Sequence, residues 1–279
     1  MYDAIDLVYQ PAQVSVSNNQ VDFIEAGAGP LVVLVHSSMA GAHQWSALSS
    51  DLTHRYQVRA INLFGYGRTP AWSEAESPSL DDYAELVAHA VPDAANDIRL
   101  VGHSFGAAVA MRAAAHQLSG RVKDLVIIEP SLFYLLDSHD HQEAFGEISA
   151  LEKYTRRCLV NGAAEAAAER FVDYWCGHGT WAASSPARQS SLARSVSLLP
   201  NEWNAVIEGT TTPAEWAAAL PQHTLVMSSA KTTRPSRELV DVLLDACPDW
   251  EFAMTWDGGH MAPLTHPQLI NPIIRGFLA

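Results

Sequence analysis

A serine held between two glycines, Gly102-His103-Ser104-Phe105-Gly106, has the residue types and spacing that covalent chemistry needs. Ile98 to Val101 is continuously buried-strand in character, and Phe105 to Ala115 reads as a small-residue helix. A strand that turns straight into a helix forces the junction residue into strained backbone. Its side chain is thrust into the open above the sheet edge. The N–H of the next residue, Phe105, then sits at a helix N-terminus, where negative charge is favoured. An exposed hydroxyl beside an anion-stabilising donor is the pair that acyl transfer uses.

The elements that must position this serine follow from the pattern along the chain. Gln13 to Ser17 and Val21 to Glu25 alternate polar and apolar around Asn18-Asn19, which predicts a hairpin of half-buried strands. Leu31 to Val35 is apolar throughout and predicts a central strand covered on both faces. Further strands are predicted over Val58–Leu63, Val122–Ile128, Thr224–Met227 and Phe252–Trp256, with helices over Leu80–Val91, Ser236–Leu244 and Pro267–Leu278. Strand and helix in alternation predict an α/β fold with a mostly parallel, doubly wound sheet. The rhythm stops after Pro130. From Ser131 to Pro221 no strand pattern appears, and Ala163 to Trp175 is amphipathic. The expected organisation is therefore a core of residues 1–130 and 222–279 with an inserted helical cap over 131–221.

Bulk properties narrow the function classes. A chain of 279 residues can bury one large core, or one core with an insertion. The net charge of −14 disfavours nucleic acid and anionic membrane surfaces as partners. Three cysteines, Cys158, Cys176 and Cys247, are odd in number and lack C-x-x-C spacing. They point to a reducing, cytoplasmic setting without a disulfide framework, a metal site or a cofactor. The start, Met1 to Asp6, has no basic region ahead of an apolar one and does not read as a signal peptide. No apolar run approaches the ~20 residues of a membrane span.

Several segments together carry a family resemblance. These are His36-Ser37-Ser38, Gly65-Tyr66-Gly67, the Gly102–Gly106 turn and Gly259-His260, each closing a predicted strand. Through them the sequence resembles the α/β-hydrolase superfamily over essentially its whole length. More narrowly, it is similar to a bacterial subgroup of cap-bearing serine hydrolases through Trp45, Glu129-Pro130-Ser131-Leu132-Phe133 and Gly259–Leu264. There are departures: serine stands at 37 where the family usually has glycine, and asparagine at 62 where it usually has aspartate. The family's usual triad acid follows the strand at 224–227 in a Gly-x-x-Asp pattern. Here Ser228 to Arg234 holds no carboxylate.

The resemblance implies Ser104 as nucleophile, His260 as its base, and the N–H groups of Ser38 and Phe105 as the oxyanion hole. His266 shares the His260 loop, but its place before Pro267 suits a helix start. For the acid, Glu129 ends a predicted strand, so its side chain emerges at the Ser104 edge; it could instead anchor the cap or the turn at Pro130. Asp257 is close to His260, but the short Gly258-Gly259 turn hinders its approach, and Asp241 and Asp245 fall on a helix. Met39, Phe133, Tyr134, Trp175, Trp181 and Trp203 either line a pocket or form the insertion's core. The expected activity is hydrolysis of a small or medium carboxylic ester or lactone through an acyl-enzyme. Alternatives are a carbon–carbon hydrolase acting on a meta-cleavage product, helped by Arg156, Arg157, Arg170, Arg188 or Arg194, and a ligand-binding receptor or pseudo-enzyme. Oligomeric state is left open.

Overall fold

The computed structural model describes residues 14–16 and 19–279. Its strands are Val14–Val16 (β1), Asn19–Val21 (β2), Phe23–Ala26 (β3), Leu31–Val35 (β4), Gln57–Ile61 (β5), Ile98–His103 (β6), Val122–Ile128 (β7), Thr224–Ser229 (β8) and Glu251–Thr255 (β9). β1 and β2 form an antiparallel pair. The rest make one sheet in the order β3-β5-β4-β6-β7-β8-β9, parallel except where β3 meets β5. The predicted hairpin is thus divided between two sheets. Val14–Val16 does pair with Asn19–Val21, but Phe23–Ala26 leaves to join the main sheet. Asp22 marks the break, its carboxylate taken by Asn62 and Arg68. The acidic start, Met1 to Asp6, lies outside the described residues.

Each central strand feeds two cores, which explains why it reads as continuously apolar. Val33 and Val35 pack on one side of β4 and Val32 and Leu34 on the other. Leu125 and Ile127 of β7 part from Val126 and Ile128 in the same way. Helices Ser46–Leu52 (α1), Leu80–His89 (α2) and Phe105–Ala115 (α3) alternate with the early strands. Between β7 and β8 come Gln142–Val160 (α4), Ala164–Cys176 (α5), Thr180–Ala183 (α6), Pro186–Ser195 (α7), Leu199–Ile207 (α8) and Pro213–Ala219 (α9), with no strand among them. Arg234–Ala246 (α10), Ala262–Thr265 (α11) and Pro267–Phe277 (α12) complete the chain. Leu48 and Leu52 of α1 meet Ile270 and Ile274 of α12 on one face of the sheet; Leu86 of α2, Met111 of α3 and Leu239 of α10 cover the other. Burying each such side chain contributes about 1.5–3 kcal/mol. No helix among the described residues is long and apolar enough to cross a membrane.

In a parallel sheet the strands' carboxyl ends share one edge, and the crevice outside that edge is where ligands collect. Here β4, β6, β7, β8 and β9 deliver His36, Ser104, Glu129, Ala230 and the His260 loop to that edge. The ladder runs one residue past the strand ends: Ser104 N–H donates to Ile128 O at 2.9 Å and Glu129 N–H to Met227 O at 3.0 Å.

Candidate active site

The turn at Ser104 is as tight as its sequence suggests. Ser104 has φ 56° and ψ −120°, a conformation that side chains other than glycine's rarely adopt. The two glycines around it serve close approach. A Cβ on Gly102 would lie 2.4 Å from Gly106 O, and one on Gly106 would lie 2.3 Å from His36 O. Helix α3 can therefore start directly against β4 and β6. Phe105 is its first residue, so its N–H has no intrahelical carbonyl to meet.

Ser104, His260 and Glu129 form one hydrogen-bonded chain. Ser104 Oγ is 2.9 Å from His260 Nε2, and His260 Nδ1 is 2.6 Å from Glu129 Oε2. An ionised carboxylate only accepts, so the proton of a neutral imidazole belongs on Nδ1 and its lone pair on Nε2, facing the serine. All three residues are buried. Ser131 Oγ stands 3.1 Å from Ser104 Oγ, a second polar neighbour for the hydroxyl.

The loop after β8, which has no carboxylate of its own, supplies donors to Glu129 instead. Ser229 N–H donates to Oε1 at 2.8 Å and the Thr232 hydroxyl to Oε2 at 2.5 Å. With His260 these make three hydrogen bonds on one carboxylate, which fixes its orientation. Asp257 is not part of this chain; it pairs with Lys231 at 2.9 Å near the surface. His266 Nδ1 meets Thr265 Oγ1, and Asp241 and Asp245 lie on exposed parts of α10.

Behind the serine, two buried histidines hold loops together as neutral rings. His36 Nδ1–H donates to Ser37 O at 2.8 Å and its Nε2 accepts from Leu63 N–H at 3.1 Å. Burial pushes its pKa down to about 4, against the opposing Ser37 hydrogen bond. His103 Nε2–H donates to the carbonyl of His260 at 2.8 Å, and its Nδ1 accepts from Gln44 Nε2 at 3.1 Å. Burial, with the neighbouring His260, drives its pKa well down. Gln44 Oε1 in turn accepts the N–H and hydroxyl of Ser37. The loop carrying Ser38 is thus wired through Gln44 and His103 to the loop carrying His260.

One residue further, Met39 takes φ 62° and its N–H donates to the Tyr66 hydroxyl at 2.7 Å. Tyr66 passes a 2.7 Å hydrogen bond to Glu202 Oε1 on α8, and burial beside that carboxyl raises the phenol's pKa. Four non-glycine residues among those described have positive φ, and Met39, Ser104 and Glu129 are three of them. Such strain costs roughly 1–3 kcal/mol per residue and gathers where geometry serves function.

Above Ser104 lies a small pocket, partly open to solvent. Ser37, Ser38, Ser104, Phe105 and His260 form one side. Phe133, Phe171, Trp175, Leu199, Glu202, Trp203 and Val206 form the other. Of the aromatics singled out in the sequence, Phe133, Trp175 and Trp203 reach it; Met39, Tyr134 and Trp181 do not line it. Trp175 covers the imidazole, its ring centroid 4.2 Å from that of His260. Ser131, Thr232, Tyr66 and Glu202 were not singled out beforehand as site residues. Tyr66 and Ser131 fall inside segments that carry the family resemblance, and Glu202 is legible as a carboxylate on the apolar spacing Leu199, Glu202, Trp203, Val206. No group of three or more potential metal ligands occurs among the described residues.

Comparison with known proteins sets this site in a family. Lipase LipV of Mycobacterium tuberculosis is 27% identical over 268 residues, covering 90% of this chain and 94% of that protein. A pimeloyl-[acyl-carrier protein] methyl ester esterase of Methylococcus capsulatus is 38% identical over 107 residues, spanning 38% of this chain and 39% of that enzyme. Among solved structures, a hydrolase from Pseudomonas aeruginosa superposes with TM-score 0.78 at 18% identity, covering 98% of this chain and 99% of that one, which speaks to the fold. Residues 32–273 match the alpha/beta hydrolase family, and with seven sheet strands and the Ser104 turn in place, the chain belongs to that family.

Proposed function

We propose that the protein is a serine hydrolase that cleaves a small or medium carboxylic ester or lactone through an acyl-enzyme. The observation that carries this reading is the unbroken relay from Ser104 through His260 to Glu129. In the first half-reaction Ser104 Oγ attacks the carbonyl carbon while its proton passes to His260 Nε2. Glu129, held by Ser229 and Thr232, stabilises the imidazolium that forms. The carbonyl oxygen becomes an oxyanion facing the N–H groups of Phe105 and Ser38. His260 then returns the proton to the departing alkoxide, leaving an ester on Ser104. Water, deprotonated by the same imidazole, repeats the sequence and releases the acid.

The similarity to a methyl ester esterase and to a lipase supports an ester as the scissile bond. A carbon–carbon hydrolase of meta-cleavage products would need a cation for the dienoate carboxylate, and no lysine or arginine is among the described residues lining the pocket. Arg156, for one, is spent on Glu152 and Asn204. A receptor would have no use for a strained serine with a complete proton relay. In this reading the helical stretch 131–221 serves as a cap that closes over the pocket. A fluorophosphonate probe, run beside p-nitrophenyl esters of rising chain length, tests it. Labelling of the wild type that vanishes in Ser104→Ala, together with ester turnover, is the expected result. Labelling that survives the substitution overturns the assignment.

A further inference from the structure

The helical side of the pocket carries a carboxyl group where an apolar side chain would have closed the face. Leu199, Glu202, Trp203 and Val206 of α8 keep the spacing of a packing stripe, and all four line the pocket. Glu202 is 3% exposed. Its Oε1 accepts from Tyr66, while its Oε2 is equally hidden and has no well-aligned hydrogen bond, the Ser38 hydroxyl being the other polar group beside the carboxyl. Among the described residues it is the one carboxyl oxygen so left. Burying such an atom unpaired is costly, and the cost persists unless something completes the pair. The indole N–H groups of Trp175 and Trp203, on the same pocket, are also buried without acceptors. Trp45, in the core, has an orphaned N–H as well, so the indoles add to the carboxyl rather than stand alone.

We propose that Glu202 is a specificity-determining residue whose Oε2 accepts a hydroxyl of the substrate, so that the preferred ester is a hydroxylated one. This rests on the ester-hydrolase reading of Ser104. Around Glu202 the helical side is aromatic and aliphatic, which suits a short apolar chain interrupted by one polar group. A hydroxyl suits Oε2, because it donates to a carboxyl and brings no charge into the pocket. It also fits either protonation state. Burial raises the Glu202 pKa, against the Ser38 and Tyr66 hydroxyls that lower it, and a hydroxyl can pair with the carboxyl in either form. A plain alkyl ester leaves Oε2 unpaired in the complex, which is how a site of this kind discriminates.

The test compares kcat/KM for two matched pairs. Methyl 3-hydroxybutyrate against methyl butyrate places the hydroxyl on the acyl arm; 2-hydroxyethyl butyrate against ethyl butyrate places it on the alcohol arm. The wild type is expected to favour the hydroxylated member of one pair by about tenfold or more, which also tells which arm lies against α8. Glu202→Met should bring that ratio to about one or below, and Glu202→Gln, which keeps an acceptor, should retain part of it. A ratio taken within one enzyme is insensitive to a reduced folded fraction, so a poorly folding variant still reports. Equal rates in both pairs, or a preference that survives Glu202→Met, overturn the proposal. So does a stronger preference for methyl 4-aminobutyrate, which would make Glu202 a cation site. Failure of every ester to turn over, with no fluorophosphonate labelling of Ser104, would remove the hydrolase reading itself and this inference with it.

Discussion

The strand-end wall of the pocket and the helical wall facing it differ in how their polar atoms are settled. On the strand side the groups interlock: His36, Ser37, Gln44, His103, His260, Glu129, Ser229 and Thr232 each meet a partner within the protein. On the helical side three buried polar atoms, Glu202 Oε2, Trp175 Nε1 and Trp203 Nε1, have none. A wall whose side chains are paired internally holds its geometry without a ligand, so that the backbone N–H of Phe105 is fixed in place, as electrostatic preorganisation requires. Under the proposal above, the helical wall is completed by what binds. On the reading proposed above, chemistry and recognition fall to different parts of the chain, joined through Tyr66, which touches Met39 on one side and Glu202 on the other.

The largest expected effect removes the proposed nucleophile on the strand side. Ser104→Ala should lower kcat by a factor on the order of 10⁶, measured with excess enzyme on a p-nitrophenyl ester. A residual rate within tenfold of wild type would mean that the relay is not the engine. Glu129→Gln keeps the shape but offers His260 an ambiguous partner. A loss in kcat on the order of 10⁴ with unchanged KM and unchanged circular dichroism is expected. A loss confined to KM would move Glu129 from the chemical wall to the binding one.

Protonation should unsettle the strand side more gently. Unfolded, an imidazole takes up its proton near pH 6.5, whereas folded His36 resists until about 4. Between those values the unfolded state binds more protons. The stabilisation is therefore complete above about pH 6.5 and is lost as the pH falls toward 4. For His36 alone the loss between pH 7 and 5 is about 2 kcal/mol, and His103 adds to it in the same direction. Urea unfolding at the two pH values checks this, alongside NMR titration of the His36 ring. A ring that titrates near 6.5 in the folded protein would contradict it. The smallest effect belongs to the joint. Tyr66→Phe should cost about tenfold in kcat, because Met39 N–H and Glu202 lose their shared partner and the Ser38 loop loosens. An unchanged kcat would show that the two walls are independent.

Much of the strand-side arrangement was legible in the order of residues. The Ser104 turn announced itself through an apolar run, two glycines and a small-residue helix, all local features. Glu129 could be placed because a residue at a strand's end must emerge at the sheet edge. What could not be read were meetings between distant segments, such as Ser229 and Thr232 closing on Glu129 from a hundred residues away. Period-two alternation likewise shows that a strand exists without saying which partner it takes, so Val21–Glu25 reads as one hairpin arm although Phe23 to Glu25 join the main sheet. Glu202 illustrates a third case. Its helical spacing was visible, but a carboxylate on an apolar stripe stands out only once that stripe is known to face a pocket.

The position of Glu129 has a consequence for anyone who would exchange parts of this protein. It stands directly before Pro130, at the point where the chain leaves the sheet for the long helical excursion, and Ser131 begins that excursion while touching Ser104. A graft that replaces the helices is therefore constrained at its first seam, where a shift of one residue would drag both a relay member and a neighbour of the nucleophile. The returning seam, around Pro221 to His223, carries neither. That seam is held to the sheet by His223, which meets Asp124 and Phe277, so the register of the outgoing junction bears on the relay and that of the returning one on the sheet.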